Sequence, residues 1–434
     1  MTARLSCFAQ GCRSTFPVDQ IIYSCPHCGS LLEVSYDAPA HGPALLKQLW
    51  LQRRLSSGPL DQSGVWRYRE LIDFLPSLDH VVTLREGNTP LLPAPSAARY
   101  AALDALFFKH QGFNPTGSFK DNGMTCGVAQ ARSLGMQRVA CVSTGNTSAS
   151  MAAYAAAGGL QPLIFIPHGS IAFGKLSQAL EYGARTFQVQ ANFDQILKLI
   201  RALAEQLGIY LLNSVNPFRI EGQKTIAIEL LEQTGWQVPD WVVLPGGNLG
   251  NVSAFGKGFR ELHAYGFIPR LPRLAVIQAA GAAPFYAYMQ ARPRGFQPVE
   301  HPQTLATAIK IGDPVSWPKA EFEIDASGGL VEQVSEQEIA DAKAQIGRCG
   351  IGCEPASAAT LAGIRKLRTA GRIRADEHVV AVLTGHLLKD PDYIYGYHTE
   401  TLKGPDGHPL RAPFANKPIV VPPDPQRIAA LLAH

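Results

Sequence analysis

Charge is scarce in this chain, and neither sign dominates. Charged residues are 17% of 434, and 39 Lys+Arg against 35 Asp+Glu leave a net charge of only +4. That balance, with no basic stripe, gives no reason to expect a nucleic acid or a membrane surface as partner. Long apolar runs are also missing: no stretch reaches the length needed to span a bilayer. The opening residues, Met1 to Cys7, contain no apolar signal core. The expected location is therefore the cytoplasm, where thiols stay reduced and eight cysteines need not pair. No internal repeat is visible. What is present is 46% hydrophobic content, in a chain long enough for two or three domains with full cores.

Half of the cysteines fall in one short stretch. Cys7 and Cys12 are spaced C-x4-C, Cys25 and Cys28 C-x2-C, with twelve residues between the pairs. Two close pairs of thiolates match a tetrahedral structural zinc site on a small ribbon. Cys25-Pro-His-Cys-Gly29 is the stronger half, because the glycine favours the turn that aims both sulfurs at one ion. His27 reads as an exposed bystander. The competing readings are a ribbon-like module that has lost its metal, or simple free thiols. Cys126, Cys141, Cys349 and Cys353 read as small apolar packing groups.

A polar, helical linker is expected up to about residue 70. From Arg138 short apolar strands alternate with amphipathic helices: Val139–Val142, Leu163–Ile166, Thr186–Val189, Tyr210–Leu212, Trp241–Leu244, Leu274–Ile277 and Val379–Leu383. That pattern implies parallel sheets covered on both faces, with ligands bound beyond the strand C-termini. The proline-rich tail from Lys403 is expected to wrap the surface and to end in a short helix near Asp424-Pro425.

The chemistry is concentrated in loops at those strand ends. Asn114-Pro-Thr-Gly-Ser-Phe-Lys-Asp121 sets one lysine, Lys120, among turn-forming residues. A partly desolvated amine there can lose its proton and form a Schiff base with a carbonyl. Pro245-Gly-Gly-Asn-Leu-Gly-Asn251 follows an apolar strand and opens a helix. Amides at Gly247, Asn248, Leu249, Gly250 and Asn251 are suited to a phosphate; a plain tight connection is the alternative. Ser143-Thr-Gly-Asn-Thr-Ser148 has the same setting with more hydroxyls and suits a carboxylate, or else ordinary N-capping. Asn213-Ser-Val-Asn-Pro-Phe-Arg219 offers Ser214 and Arg219 to a second anion. Thr384, after a buried strand, offers a hydroxyl to a ring nitrogen. Together these describe a pyridoxal phosphate site that handles an amino acid.

The same stretches resemble the threonine synthase family of fold-type II pyridoxal-phosphate enzymes. Glu86–Leu91, Asn114–Asp121, Ser143–Ser148, Asn213–Arg219 with Glu221–Thr225, Gly247–Asn251, Gln278–Pro284, Cys353–Ala358 and Leu383–Asp390 match in order, over about residues 80–395. The resemblance implies an α/β, tryptophan-synthase-β-like architecture with two three-layer parallel-sheet domains and a small N-terminal zinc-ribbon-like module. The implied division is a ribbon at 1–36, a large cofactor-binding domain at 37–113 and 213–402, a small mobile domain at 114–212, and a tail at 403–434. It implies that Lys120 holds the cofactor covalently and that Asn146 meets its phenolic oxygen. Gly247, Asn248, Leu249, Gly250 and Asn251 would hold its phosphate, and Thr384 its pyridine nitrogen. Ser143, Thr144 and Thr147 would meet the substrate carboxylate; Ser214, Asn248 and Arg219 would meet the substrate phosphate, with Lys109 a further candidate. A hydroxyl rather than a carboxylate at the nitrogen would leave the ring less positive. The implied reaction converts O-phospho-L-homoserine and water to L-threonine and phosphate, in a possible homodimer. Two positions depart from the family pattern: Asn122 stands where arginine is usual, and Gln111 where glutamate is common.

Other readings keep the fold and change the chemistry: a cysteate synthase acting on O-phosphoserine, or a threonine/serine dehydratase. Ser214 and Arg219 argue against the dehydratase. A reading of another class is a non-catalytic zinc- or pyridoxal-phosphate-binding protein. His386 is a candidate for touching the site, whereas His110 and His263 read as structural or solvated.

Overall fold

The computed structural model describes residues 2–169, 173–191 and 193–432. Its N-terminal module is a three-stranded antiparallel ribbon of Ala3–Cys7, Thr15–Pro17 and Leu32–Tyr36, with the first strand in the middle. Leu5, Leu32 and Val34 point inward and are buried. They pack with Cys126, Ala129 and Phe218 of the body in a single cluster.

The ribbon is fastened by buried charge as well. Lys257 Nζ donates to the Val34 carbonyl and pairs with Glu221. Lys319 Nζ donates to the Leu32 carbonyl at 2.6 Å. Arg260 spans Glu33 and Glu323 at 3.4 and 3.0 Å.

Residues 37–70 are not a linker. The helix Pro43–Arg54, entered by proline at its start, buries Leu46 and Trp50. Trp50 stacks on Phe267 at 5.3 Å and meets Tyr68 edge-on. The polar residues that gave the linker reading are paired instead: Arg53 with Glu70, and Arg69 with Asp61 at 2.8 Å.

Two sheets form the body. The larger has the order Leu330–Val334, Arg273–Ala279, Trp241–Pro245, Val379–Leu383, Leu106–His110, Leu91–Pro93. Its strands run parallel except for the last, which pairs antiparallel at the edge. The smaller is fully parallel, in the order Arg185–Val189, Gln161–Pro167, Arg138–Val142, Ile209–Leu211. Leu330–Val334 was absent from the sequence expectation because its two central polar residues, Glu332 and Gln333, dilute the apolar signal.

Helices Lys120–Ser133 and Pro217–Gln233 pack against each other. Both are buried almost all round despite being polar: Asp121, Asn122, Thr125 and Gln130 in one, Arg219, Glu221, Lys224 and Glu229 in the other. Polar groups are seldom buried without a structural or functional reason. Among the described residues no helix is long and apolar enough to cross a membrane. The tail ends in an exposed helix, Pro425–Leu432.

Candidate active site

The strand C-termini open onto a cavity of about 800 Å³. Its walls include Lys120; Ser143, Thr144, Asn146 and Thr147; Ser214 and Arg219; Gly247, Asn248, Leu249, Gly250 and Asn251; and Thr384. Apart from Lys109, every anion-binding and cofactor-binding candidate read from the sequence thus faces one space. That volume suits a cofactor and a small substrate together.

The lysine loop is held by a second motif distant in sequence. Phe119 N–H donates to the Thr384 carbonyl at 3.0 Å, and His386 N–H to the Gly117 carbonyl at 2.9 Å. Gly117 takes φ +80°, which a side chain would resist. Asp121 accepts from Thr116, through both its amide (2.7 Å) and its hydroxyl (2.6 Å), and from Ser150. Lys120 is therefore presented by a rigid turn at the start of a buried helix. Burial, and then the positive charge of Arg219, lower its amine to about 7. An amine with that proton affinity carries a lone pair at neutral pH.

Of the two departures from the family pattern, only Gln111 has its polar groups engaged. Gln111 donates to Thr89 Oγ1 at 2.6 Å and accepts from Asn114 Nδ2 at 3.0 Å, so it braces the lysine loop as a neutral group. Asn122 is buried, with its side-chain oxygen lacking a partner.

Arg219 is 2% exposed. Among the described residues its one side-chain bond goes to the Leu212 carbonyl at 3.0 Å, and its Nε has no partner. Among the described residues no carboxylate pairs with it. Burial lowers it to about 10. A buried guanidinium with unused donors on a cavity wall is a receptor for an anion.

Asn251 is in the same condition: both ends of its buried amide lack partners. It lies in the first turn of the helix Gly250–Ala264, whose N-terminus follows Leu249 in the left-handed region at φ +64°. Helix start and orphaned amide together fit a phosphate. Asn146 Oδ1 is a further buried acceptor without a partner. Pyridoxal phosphate, with a phosphate, a phenolic oxygen and a ring nitrogen, fits this donor and acceptor set.

Behind Thr384 stands a residue to which the sequence reading gave no role. Glu354, 1% exposed, also lines the cavity. It accepts from Thr384 Oγ1 at 3.1 Å and from Asn146 Nδ2 at 3.0 Å. Its partners, Asn146 and Thr384, are 208 and 30 residues away, which is why its direction could not be foreseen. The segment 298–313, with His301 and Lys310, is another part of the wall that the sequence did not mark.

Two candidates, Lys109 and His386, lie elsewhere, and His110 is structural as expected. Lys109 is enclosed, bonded to Glu229, to the Thr89 carbonyl at 2.7 Å and to Gln233 at 2.8 Å. It is not on the cavity wall, because the carboxylate of Glu229 holds it in the sheet. His386 caps a short turn, accepting from Leu388 N–H at 3.2 Å, and also stands off the wall. His110 bonds the Gly352 carbonyl at 2.7 Å.

In the ribbon, the sulfurs of Cys7, Cys12, Cys25 and Cys28 all lie within 4.8 Å of one another. Cys7 and Cys28 are 3.3 Å apart, and Cys12 and Cys25 are 3.8 Å apart. A tetrahedron with metal–sulfur bonds of about 2.3 Å has edges of roughly 3.8 Å, so the four thiols fit one zinc ion. His27 is exposed and bonds Ser14 at 2.7 Å.

Known proteins resemble the chain at two levels. The family model described as "Pyridoxal-phosphate dependent enzyme" matches residues 82–385. The threonine synthase of Methanocaldococcus jannaschii is 46% identical over 395 residues, covering 90% of this chain and 95% of that protein. Among solved structures, the threonine synthase of Escherichia coli superposes with a TM-score of 0.69 at 15% identity, over 97% of this chain and 93% of that one. The processed form of threonine deaminase isoform 2 from Solanum lycopersicum gives 0.60 at 17% identity, over 81% and 86%. At those identities the two structures speak for the fold alone.

Proposed function

The chain belongs to the threonine synthase family of pyridoxal-phosphate-dependent enzymes, and from that premise we propose that its cavity converts O-phospho-L-homoserine and water to L-threonine and phosphate. The observation that carries the substrate assignment is Arg219, a buried cation without a carboxylate partner on the wall that also holds the lowered amine of Lys120.

When bound, pyridoxal phosphate supplies an electron sink that stabilises negative charge on substrate carbons. Lys120 is its covalent anchor. Gly247, Asn248, Leu249, Gly250 and Asn251 hold its phosphate, Asn146 meets its phenolic oxygen and Thr384 its ring nitrogen. Ser143, Thr144 and Thr147, at the start of the helix Asn146–Ala157, hold the substrate carboxylate. Ser214, Asn248 and Arg219 take the substrate phosphate.

Once displaced by the substrate amine, Lys120 Nζ carries protons one at a time from the α- and β-carbons and back to the γ- and α-carbons. The electron pair left at the β-carbon forms the β–γ double bond as the γ-carbon–oxygen bond breaks. The lowered proton affinity of Lys120 suits both directions at neutral pH. Arg219 stabilises the negative charge that gathers on the phosphate as it leaves the γ-carbon. The oxygen released from the γ-carbon takes a proton from the water whose hydroxyl adds at the β-carbon, which leaves the phosphate as the dianion. The unit carrying the four-stranded sheet, within residues 114–212, is the part that moves to enclose the substrate. Zinc at Cys7, Cys12, Cys25 and Cys28 has a structural role.

The amino-acid substrate of a dehydratase carries no second anion for Arg219 beyond the carboxylate held by Ser143, Thr144 and Thr147, which disfavours that reading although the deaminase shares the fold. Phosphoserine is shorter by one methylene, a difference worth only about 1–3 kcal/mol in a pocket. Phosphate release measured with phosphohomoserine and with phosphoserine, alongside ammonia release from threonine, tests the assignment. Faster turnover of phosphoserine or threonine would reject it.

A further inference from the structure

We propose that Glu354 is a positioning residue that makes Thr384 an acceptor, so that the ring nitrogen of the cofactor is held protonated. This rests on the assignment of the cavity to pyridoxal phosphate and goes beyond it.

Glu354 stands at the N-cap of the helix Pro355–Thr369, but its side chain makes no capping bond. It turns instead toward Thr384 and Asn146. A Cβ at Gly385 would stand 2.4 Å from the Glu354 carboxyl carbon, so the glycine after Thr384 is what leaves room for the carboxylate.

The protons around Thr384 can be counted. Ser357 Oγ accepts from the backbone N–H of Thr384 at 2.8 Å and of Gly385 at 3.2 Å. With both lone pairs engaged, its own hydrogen goes to Thr384 Oγ1, 2.9 Å away. Thr384 has one hydroxyl hydrogen, and the carboxylate oxygen of Glu354 at 3.1 Å can only accept it. Thr384 Oγ1 is left with one lone pair and no hydrogen to give. A ring nitrogen brought to that oxygen makes a hydrogen bond only if it carries a proton. A negative charge one bond further back favours the same state.

The same carboxylate orients Asn146. Because it can only accept, Nδ2 faces Glu354 and Oδ1 is left buried without a partner. One residue therefore sets the hydrogen-bonding direction of both groups that face the cofactor's polar edges. This reverses the expectation that a hydroxyl contact leaves the ring less positive: the hydroxyl relays a carboxylate.

The test is nitrogen-15 NMR of the holoenzyme, reconstituted with pyridoxal phosphate labelled at the ring nitrogen. The wild-type shift should be that of a protonated pyridine at neutral pH. Glu354→Gln keeps an acceptor but loses the charge, and the proton affinity of the ring nitrogen should fall roughly tenfold or more, as expected for a charge-assisted hydrogen bond. Glu354→Asp should restore part of that loss, which a purely structural role would not do. If Glu354→Gln fails to hold the cofactor, Thr384→Val removes the accepting oxygen, and the ring nitrogen should lose its proton. An unprotonated nitrogen in the wild type, or an unchanged titration in the variant measured, overturns the role of Glu354. No visible absorption band when pyridoxal phosphate is added to the wild type would instead sink the cofactor assignment itself.

Discussion

Replacing Arg219 by methionine tests substrate recognition most directly. The guanidinium donates to one backbone carbonyl, Leu212, and its Nε donates to nothing. Of its five N–H groups, enough remain for a two-pronged grip on a phosphate. Two charge-assisted bonds at about 1.5–3 kcal/mol each amount to roughly 3–6 kcal/mol, or about 10²–10⁴ in kcat/KM with O-phospho-L-homoserine. The cofactor's visible band should persist, because Arg219 is not part of the cofactor cradle.

Two further readouts follow from the same substitution. Among the described residues no carboxylate neutralises Arg219, so removing the buried charge should stabilise the protein without substrate by about 1–3 kcal/mol, read from urea unfolding. Arg219 also helps to lower the Lys120 amine, after burial. Capture of pyridoxal phosphate by the apoprotein needs the unprotonated amine, so its rate should rise with pH through about 7. In Arg219→Met that midpoint should move upward. Unimpaired turnover of the phosphorylated substrate in this variant would refute the reasoning, because no other unpaired buried cation has been placed on the cavity wall.

Other substitutions test separate parts of the argument. Lys120→Ala should abolish both the visible band and turnover; a normal spectrum would reject Lys120 as the anchor. Lys109→Met should cost about 3–5 kcal/mol of stability, since it leaves Glu229 buried without its partner, while KM for the phosphorylated substrate in the surviving enzyme stays near wild type. Gly385→Ala should weaken cofactor binding, measured by spectral titration, because the added methyl group displaces the Glu354 carboxylate. Chelation should release one zinc per chain, lower the melting temperature and expose residues 1–36 to protease; a metal-free preparation of equal stability would count against the ribbon site.

Much of the site could be read locally. Lys120, the glycine loop before Asn251 and the hydroxyl-rich turn at Ser143 each announce themselves, because a turn at a strand end must use small or polar residues and their spacing survives in the sequence. The four cysteines did so for the same reason. Lys109, carried over from the resemblance as a further candidate for the substrate phosphate, is instead enclosed. Its partner, Glu229, is 120 residues away and leaves no mark nearby. Residues 37–70 misled because their charges pair with one another rather than with solvent.

The sequence by itself determined which chemical groups the protein carries and that they lie at strand ends, since glycine, proline and hydroxyl patterns are consequences of local backbone geometry. Only the tertiary structure decided what those groups do to each other. Glu354 meets Asn146 across 208 residues, and Lys257 grips the ribbon across 223. Among the described residues no countercharge stands beside Arg219. Hydrogen-bond direction, desolvation and the pairing of charges depend on distances of a few ångströms in space, and those are set by packing between segments remote in the chain.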